Sequence, residues 1–247
     1  MRDHKPILGM ILGIGLILFI LLTSLGKKSI NKVNTINQPI PDSAVGFGYK
    51  CEWIAVKTTE QEKVANVLGL KNLSKCNWKT GIDSAYEKGI FITPAIDGWT
   101  LVCGWGLENT GLAKITLKKE SFDTLKVVLK TLSNAFGEVQ FFLTHRVVDT
   151  HCWIKSIKGE ILRAYCISGE IGEVIICEGK PTDFEKNYHI DSSFDGQEAY
   201  YSKVGYKNAT YLDEEFVMKV AGNWSIDPTQ LDKRPDLFGK FGLIGER

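Results

Sequence analysis

Val139-Gln-Phe-Phe-Leu-Thr-His-Arg-Val-Val148 is the first of four β-rich runs that decide how this chain folds. It is followed by His151 to Ile157, Ile161 to Ser168 and Val174 to Cys177, with Lys158-Gly159 and Gly169-Glu-Ile-Gly172 between the later runs. Short apolar runs separated by glycine turns predict an antiparallel meander of sequential neighbours. Immediately before it, Phe122, Leu125, Val128, Leu129, Leu132 and Phe136 form one stripe at helical spacing. Ser121 is a candidate cap for this helix and Gly137 stops it, so the helix packs its stripe on the sheet.

Working towards the N-terminus, Trp99 to Cys103 and Ile90 to Thr93 read as strands joined through Asp97-Gly98, a dipeptide suited to a tight hairpin turn. Pro94 restricts the earlier strand to an edge or a bulge. A short helix is expected around Ile82 to Tyr86. Glu52 to Lys57 predicts a strand, and Thr59 with Glu62 makes a capping box for a helix that carries Val64, Val67 and Leu68 on one face. Towards the C-terminus, Asp213-Glu-Glu215 opens a helix running to about Trp224, ended by Asp227-Pro228. The fold class expected is α+β: a β-α-β-β-α-β unit, compatible with a ferredoxin-like arrangement, then an antiparallel meander and a C-terminal helix.

The chain has 247 residues, 44% hydrophobic and 24% charged, with 30 Lys+Arg against 29 Asp+Glu. That composition is globular, and a net charge of +1 lacks the basic excess of a phosphate-backbone binder, so nucleic acid is not an expected partner. Ile7 to Leu25 carries no charge and only Thr23 and Ser24 as polar members. As a helix it spans about 28 Å, close to a bilayer core of about 30 Å, which predicts a single uncleaved transmembrane anchor within residues 1–26. Lysines and Arg2 flank both sides, so charge does not decide which side the domain faces. Residues 27–48, with Pro39 and Pro41, read as a tether, and residues 49–247 as one globular domain. Setting aside Arg2, Asp3 and Lys5, that remainder carries 28 basic and 28 acidic residues.

Six cysteines, Cys51, Cys76, Cys103, Cys152, Cys166 and Cys177, show no zinc-type spacing. Buried free thiols are expected, with disulfides open to a domain in an oxidising space. No P-loop, GxSxG elbow or HExxH helix is present, and no cofactor or metal is expected. His145, Arg146 and His151 lie within seven residues. His145 shares a strand face with Val139, Phe141 and Leu143 and reads as half-buried; Arg146 lies on the opposite face. His151, beside Trp153 and Lys155, is the more open of the two imidazoles. Arg163 sits in an apolar strand and needs a carboxylate, with Asp149, Glu138 and Glu178 as candidates, or else captures a ligand carboxylate. Of six tryptophans, Trp78 and Trp99 are expected to be partly exposed.

Phe136-Gly-Glu-Val-Gln140, Thr144-His-Arg-Val-Val-Asp149 with His151, and Trp224-Ser-Ile-Asp-Pro228 together resemble a widespread group of uncharacterised bacterial proteins, a domain of unknown function. The resemblance spans about residues 50 to 230 and implies no assigned activity. Members of the group are mostly soluble, so the anchor is a departure from it. Two functional expectations result. The first is a membrane-anchored, non-enzymatic protein-recognition domain, immunity-like or envelope-associated, whose partners are the lipid bilayer and another protein. The second is a hydrolase-type enzyme using His151, Arg163 and a carboxylate in a cleft on the meander.

Overall fold

The computed structural model describes residues 39–110, 119–169, 173–190, 202–205, 207 and 209–246. Ile7 to Leu25 and residues 27–38 lie outside this set; among the described residues no helix is long and apolar enough to cross a membrane. In chain order the elements are β1 (Cys51–Val56), α1 (Gln61–Leu68), β2 (Lys71–Cys76), α2 (Trp78–Glu87), β3 (Ile90–Ile92), β4 (Thr100–Cys103) and α3 (Lys119–Phe136). There follow β5 (Glu138–His145), β6 (Thr150–Ile157), β7 (Glu160–Ser168), β8 (Glu173–Gly179), a single turn α4 (Asp183–Lys186), α5 (Glu214–Trp224) and β9 (Gly242–Glu246).

The fold is mixed α+β, built on a nine-stranded sheet of order β2-β9-β3-β4-β1-β5-β6-β7-β8 with antiparallel neighbours throughout. β4 lies between β1 and β3, so those two strands run parallel across it, the pairing of a split β-α-β. The meander β5 to β8 extends one side. β9 and β2 extend the other, and neither of these was expected from the sequence. β2 is polar and mostly exposed, and its Lys71-Asn-Leu-Ser-Lys75 gives no apolar alternation to read.

Side chains alternate between two faces, and helices cover both. Ile54, Val56, Phe141 and Ile154 pack with Val64 and Leu68 of α1 and with Phe122, Leu125, Leu129 and Leu132 of α3. The opposite face carries Phe91, Trp53, Phe142, Trp153 and Tyr165, under α2 and α5. Strand register sets these rings in one row: Trp53 opposes Phe142, Phe142 opposes Trp153, and Trp153 opposes Tyr165. Trp53 and Phe142 stack at 5.1 Å, Trp153 and Tyr165 at 4.9 Å. Each such pair adds about 0.5–1.5 kcal/mol beyond area burial.

Several local expectations are corrected. Glu60, not Thr59, is the N-cap of α1 and makes no side-chain cap bond, so the Thr59/Glu62 box does not form. α3 begins at Lys119, which leaves Ser121 inside the helix. β3 ends before Pro94 and lies between β9 and β4, so the proline bounds an interior strand. Asp97-Gly98 does form the tight turn, with φ of 49° and 84° and Ile96 bridged to Trp99. The tether is shorter than residues 27–48, because Ala44 and Phe47 are buried in the core. The Asp42 carboxylate accepts from the Trp78 and Lys79 amides at 2.9 and 2.8 Å and so caps α2 from outside that helix. Asn77 caps the same helix at the Thr80 amide, which explains why it begins earlier than the apolar pattern at Ile82 suggests.

The cysteines are corrected in part. Cys152 and Cys166 oppose each other on β6 and β7 with Cα atoms 4.1 Å apart and are joined as a disulfide. Cys51, Cys76 and Cys103 are buried free thiols, and Cys177 is half-buried. Burial pushes the Cys76 thiol up to about 12 and raises Cys51 and Cys103 further, so all three stay protonated at neutral pH.

Phe91 is wedged between two glycines, Gly81 of α2 and Gly242 of β9; a Cβ at either would overlap its ring. Gly→Ala inside a helix ordinarily stabilises by up to about 1 kcal/mol. Gly81→Ala is expected to reverse that sign and destabilise by about 1–3 kcal/mol through overpacking, read as a lower urea midpoint with an unchanged m-value.

Candidate functional site

Arg163 projects from β7 onto the aromatic face and is 1% exposed. Its Nε donates to Glu185 Oε1 at 2.7 Å, and Nη1 donates to the carbonyls of Gly179 at 3.2 Å and Glu178 at 3.4 Å. Trp153 Nε1 donates to the same Glu185 oxygen at 2.9 Å. The other carboxylate oxygen accepts from the Thr182 amide and hydroxyl, both at 2.8 Å, within a capping box that opens α4. The partner of Arg163 is thus Glu185 rather than Asp149, Glu138 or the Glu178 carboxylate, which instead accepts from Lys126 at 2.7 Å. The guanidinium is engaged inside the protein and does not face a ligand. Thr182-x-x-Glu185 was a readable sequence signal for this carboxylate.

Glu185→Gln is expected to destabilise by about 3–5 kcal/mol, because it leaves Arg163 as an uncompensated buried charge. The double change Arg163→Met with Glu185→Gln is expected to lose less than Glu185→Gln alone, as measured in a urea double-mutant cycle.

His151 is also buried, at 1% exposure, which corrects its reading as the more open imidazole. Its Nε2 lies 3.0 Å from Asp149 Oδ1. His151 pairs with Ile167 and Arg163 with Lys155, so the two lie four residues apart along adjacent strands, about 13 Å at the usual strand rise. The stacked Trp153–Tyr165 pair stands between them. They do not converge. His145 is half-buried, as expected, with its ring 5.8 Å edge-on to Trp105. Trp78 is fully buried and Trp99 nearly so, at 9%, which corrects their expected exposure: the double cap on α2 turns Trp78 inward, and Lys57 lies over the Trp99 ring. Among the described residues no three His, Cys, Asp or Glu side chains are grouped to hold a metal.

Burial lowers the His151 pKa below the ordinary value, against the opposing pull of Asp149. The neutral ring is therefore favoured on folding, and stability is complete above about pH 6.5, where the unfolded imidazole is neutral as well. It declines as pH falls through that value, because the unfolded chain takes up the proton first. Wild type is expected to lose more unfolding free energy between pH 7.5 and pH 5.5 than His151→Gln does, in parallel urea titrations.

Four of the eight exposed large hydrophobic side chains among the described residues, Tyr49, Tyr86, Val147 and Tyr211, lie at one end of the sheet, where β5 and β7 finish and β1, β6 and β8 begin; Ile40, Val127, Leu162 and Phe238 are exposed elsewhere. Tyr49 precedes β1 and is 37% exposed; Tyr86, at the end of α2, is 39% exposed. The Tyr86 hydroxyl donates to the Tyr49 carbonyl at 2.9 Å, and the Tyr49 hydroxyl donates to Glu215 Oε1 at 2.8 Å. That bond pushes the Tyr49 pKa up to about 12. Arg146 is exposed and reaches Glu214 at 3.4 Å, while Val147, at the tip of the β5–β6 turn, is 68% exposed. The Asp149 charge raises the Tyr211 pKa above its ordinary value, and Tyr211 is 55% exposed. Tyr86, Tyr49, Val147 and Tyr211 therefore stand along a rim stitched together by carboxylates. An open groove of about 710 Å³ lies further along the same end, where β2 meets β9, lined by Ser84, Glu87 and Glu246 among others.

Of the residues singled out from sequence, Arg146 and Asp149 belong to this rim. The tyrosines stand in no apolar periodicity that marks them in the sequence. Their signal was their place beside turns: Tyr49-Lys50 ahead of a strand, and Tyr211 ahead of a helix cap at Asp213. Comparison of the chain with protein-family models, with curated proteins and with solved structures finds no match.

Proposed function

We propose that this chain is a membrane-anchored bacterial protein-recognition domain without catalytic chemistry, held by Ile7 to Leu25 and presented on the oxidising side of its membrane. The observation that carries the recognition reading is the rim of Tyr49, Tyr86, Val147 and Tyr211. Tyrosine presents a large contact area with few torsions to immobilise and a hydroxyl for hydrogen bonding, which suits it to protein interfaces. The enzyme reading loses its support with the separation of His151 from Arg163 and the engagement of each with a carboxylate of its own, Asp149 and Glu185. The choice of side rests on the Cys152–Cys166 disulfide, since such bonds persist where thiols are not kept reduced. An envelope-associated role follows from the two together.

One experiment tests both parts. Val147→Cys, labelled in intact cells with a membrane-impermeant maleimide bearing a photoreactive group, is expected to take the label and on illumination to give one discrete adduct. Val127→Cys, equally open on α3 at 63% exposure in the native residue, is expected to label without forming that adduct. Labelling only after lysis overturns the proposed side. Labelling at Val147→Cys with no adduct, or with the same adducts as Val127→Cys, overturns recognition at the rim.

A further inference from the structure

We propose that the occupant of the tyrosine rim is a lysine- or arginine-bearing segment of a partner protein, an inference that rests on the recognition reading above. The rim carries Asp149, Asp213, Glu214 and Glu215 against Lys50 and Arg146, while the chain beyond the anchor is formally neutral. Negative charge is thus concentrated where the apolar contact area is exposed. These acids are not all consumed. Asp213 caps α5 at the Phe216 amide, but exposed Glu215 has, among the described residues, only the Tyr49 hydroxyl as its hydrogen-bond partner, on Oε1. Glu214 is ion-paired with Arg146 through Oε1 and its other oxygen is buried, so the open carboxylate of this turn is that of Glu215. A carboxylate beside an open aromatic ring is the arrangement that receives a cation: the ring face takes the ammonium or guanidinium, and the carboxylate takes its N–H groups.

The same charges argue against the other occupants. A second copy of this chain on the rim would set carboxylate against carboxylate, and an anionic bilayer surface would be repelled. A basic segment converts each of those costs into attraction, and it gains on-rate through steering by the local field.

The test uses the full chain in nanodiscs of neutral lipid. The probes are two fluorescent nonamers, one alternating Arg and Gly, the other Glu and Gly, followed by anisotropy. The Arg peptide is expected to bind, more weakly as salt rises, and the Glu peptide not to bind. Glu215→Lys and Asp149→Lys are each expected to weaken the Arg peptide at least about fivefold. Glu160→Lys reverses an exposed acid at the far end of the same strands and is expected to leave binding unchanged. Tyr49→Phe keeps the ring and frees Glu215, so it retains binding and separates loss of charge from loss of fold. The proposal is overturned if both peptides bind alike, if Glu160→Lys weakens binding as much as Glu215→Lys, if the chain binds anionic vesicles through the rim, or if the rim variants abolish a dimer instead. Failure of the underlying reading is distinguishable. A Val147→Cys adduct whose cross-linked peptide carries no Lys or Arg sinks the basic occupant and leaves recognition standing, whereas no adduct sinks both.

Discussion

One extra residue, Leu162, decides which side chains of β7 meet those of β6. From the Lys158-Gly159 turn the ladder starts with Ile157 opposite Glu160 and Ser156 opposite Ile161, and then steps to Lys155 opposite Arg163. Without that bulge Cys152 would oppose Tyr165 and Trp153 would oppose Ala164, and because side chains alternate, β7 would present its other face. The bulge thus turns Tyr165 to stack on Trp153, places Cys166 against Cys152 and aims Arg163 at Glu185. Aromatic row, disulfide and buried ion pair all depend on it, and Leu162 itself is left 48% exposed at the bend.

Because helices cover both faces of the sheet, a polar side chain on its inner strands is taken out of water and has to find its partner inside. Arg163 follows this through Nε, which donates to Glu185, and His151 through Nε2, which lies beside Asp149 at the sheet end, while Arg163 Nη2 and His151 Nδ1 have no hydrogen-bond partner among the described residues. Gln140 obeys it by donating to the Trp224 carbonyl and accepting from Ser225. The chemistry that looked available on the meander is therefore part of what orders the interior. Side chains free to meet another molecule stand where strands end and the chain turns, which is where Tyr49, Val147 and Tyr211 lie.

This divides what was legible in the sequence from what was not. Local patterns named the meander, the α3 stripe, the Asp97-Gly98 turn and the Asp213 cap, because each is written in consecutive residues. The polar β2 and the glycine-rich β9 were illegible, since their pairing comes from partners far along the chain: Cys76 meets Gly242, and Phe91 meets Ile244. The pair Cys152 and Cys166 was nearly legible from the Lys158-Gly159 turn, and the bulge that aligns them is the step no local rule supplies. Trp78 failed for a related reason. Its polar neighbours suggest exposure, but they are there to cap a helix whose first residue points into the core.

The two edges of the sheet are closed to a further strand. β2 carries Lys71 and Lys75 and a register shift near its start; β8 carries Glu173 and Glu178 at its ends and a shift at Ile175. Charges and bulges on an edge strand are devices that stop another strand from adding to the sheet. With helices packed on both faces and the edges guarded, what the sheet leaves open is the ends of its strands, and one of those ends carries exposed tyrosine beside the Glu215 carboxylate.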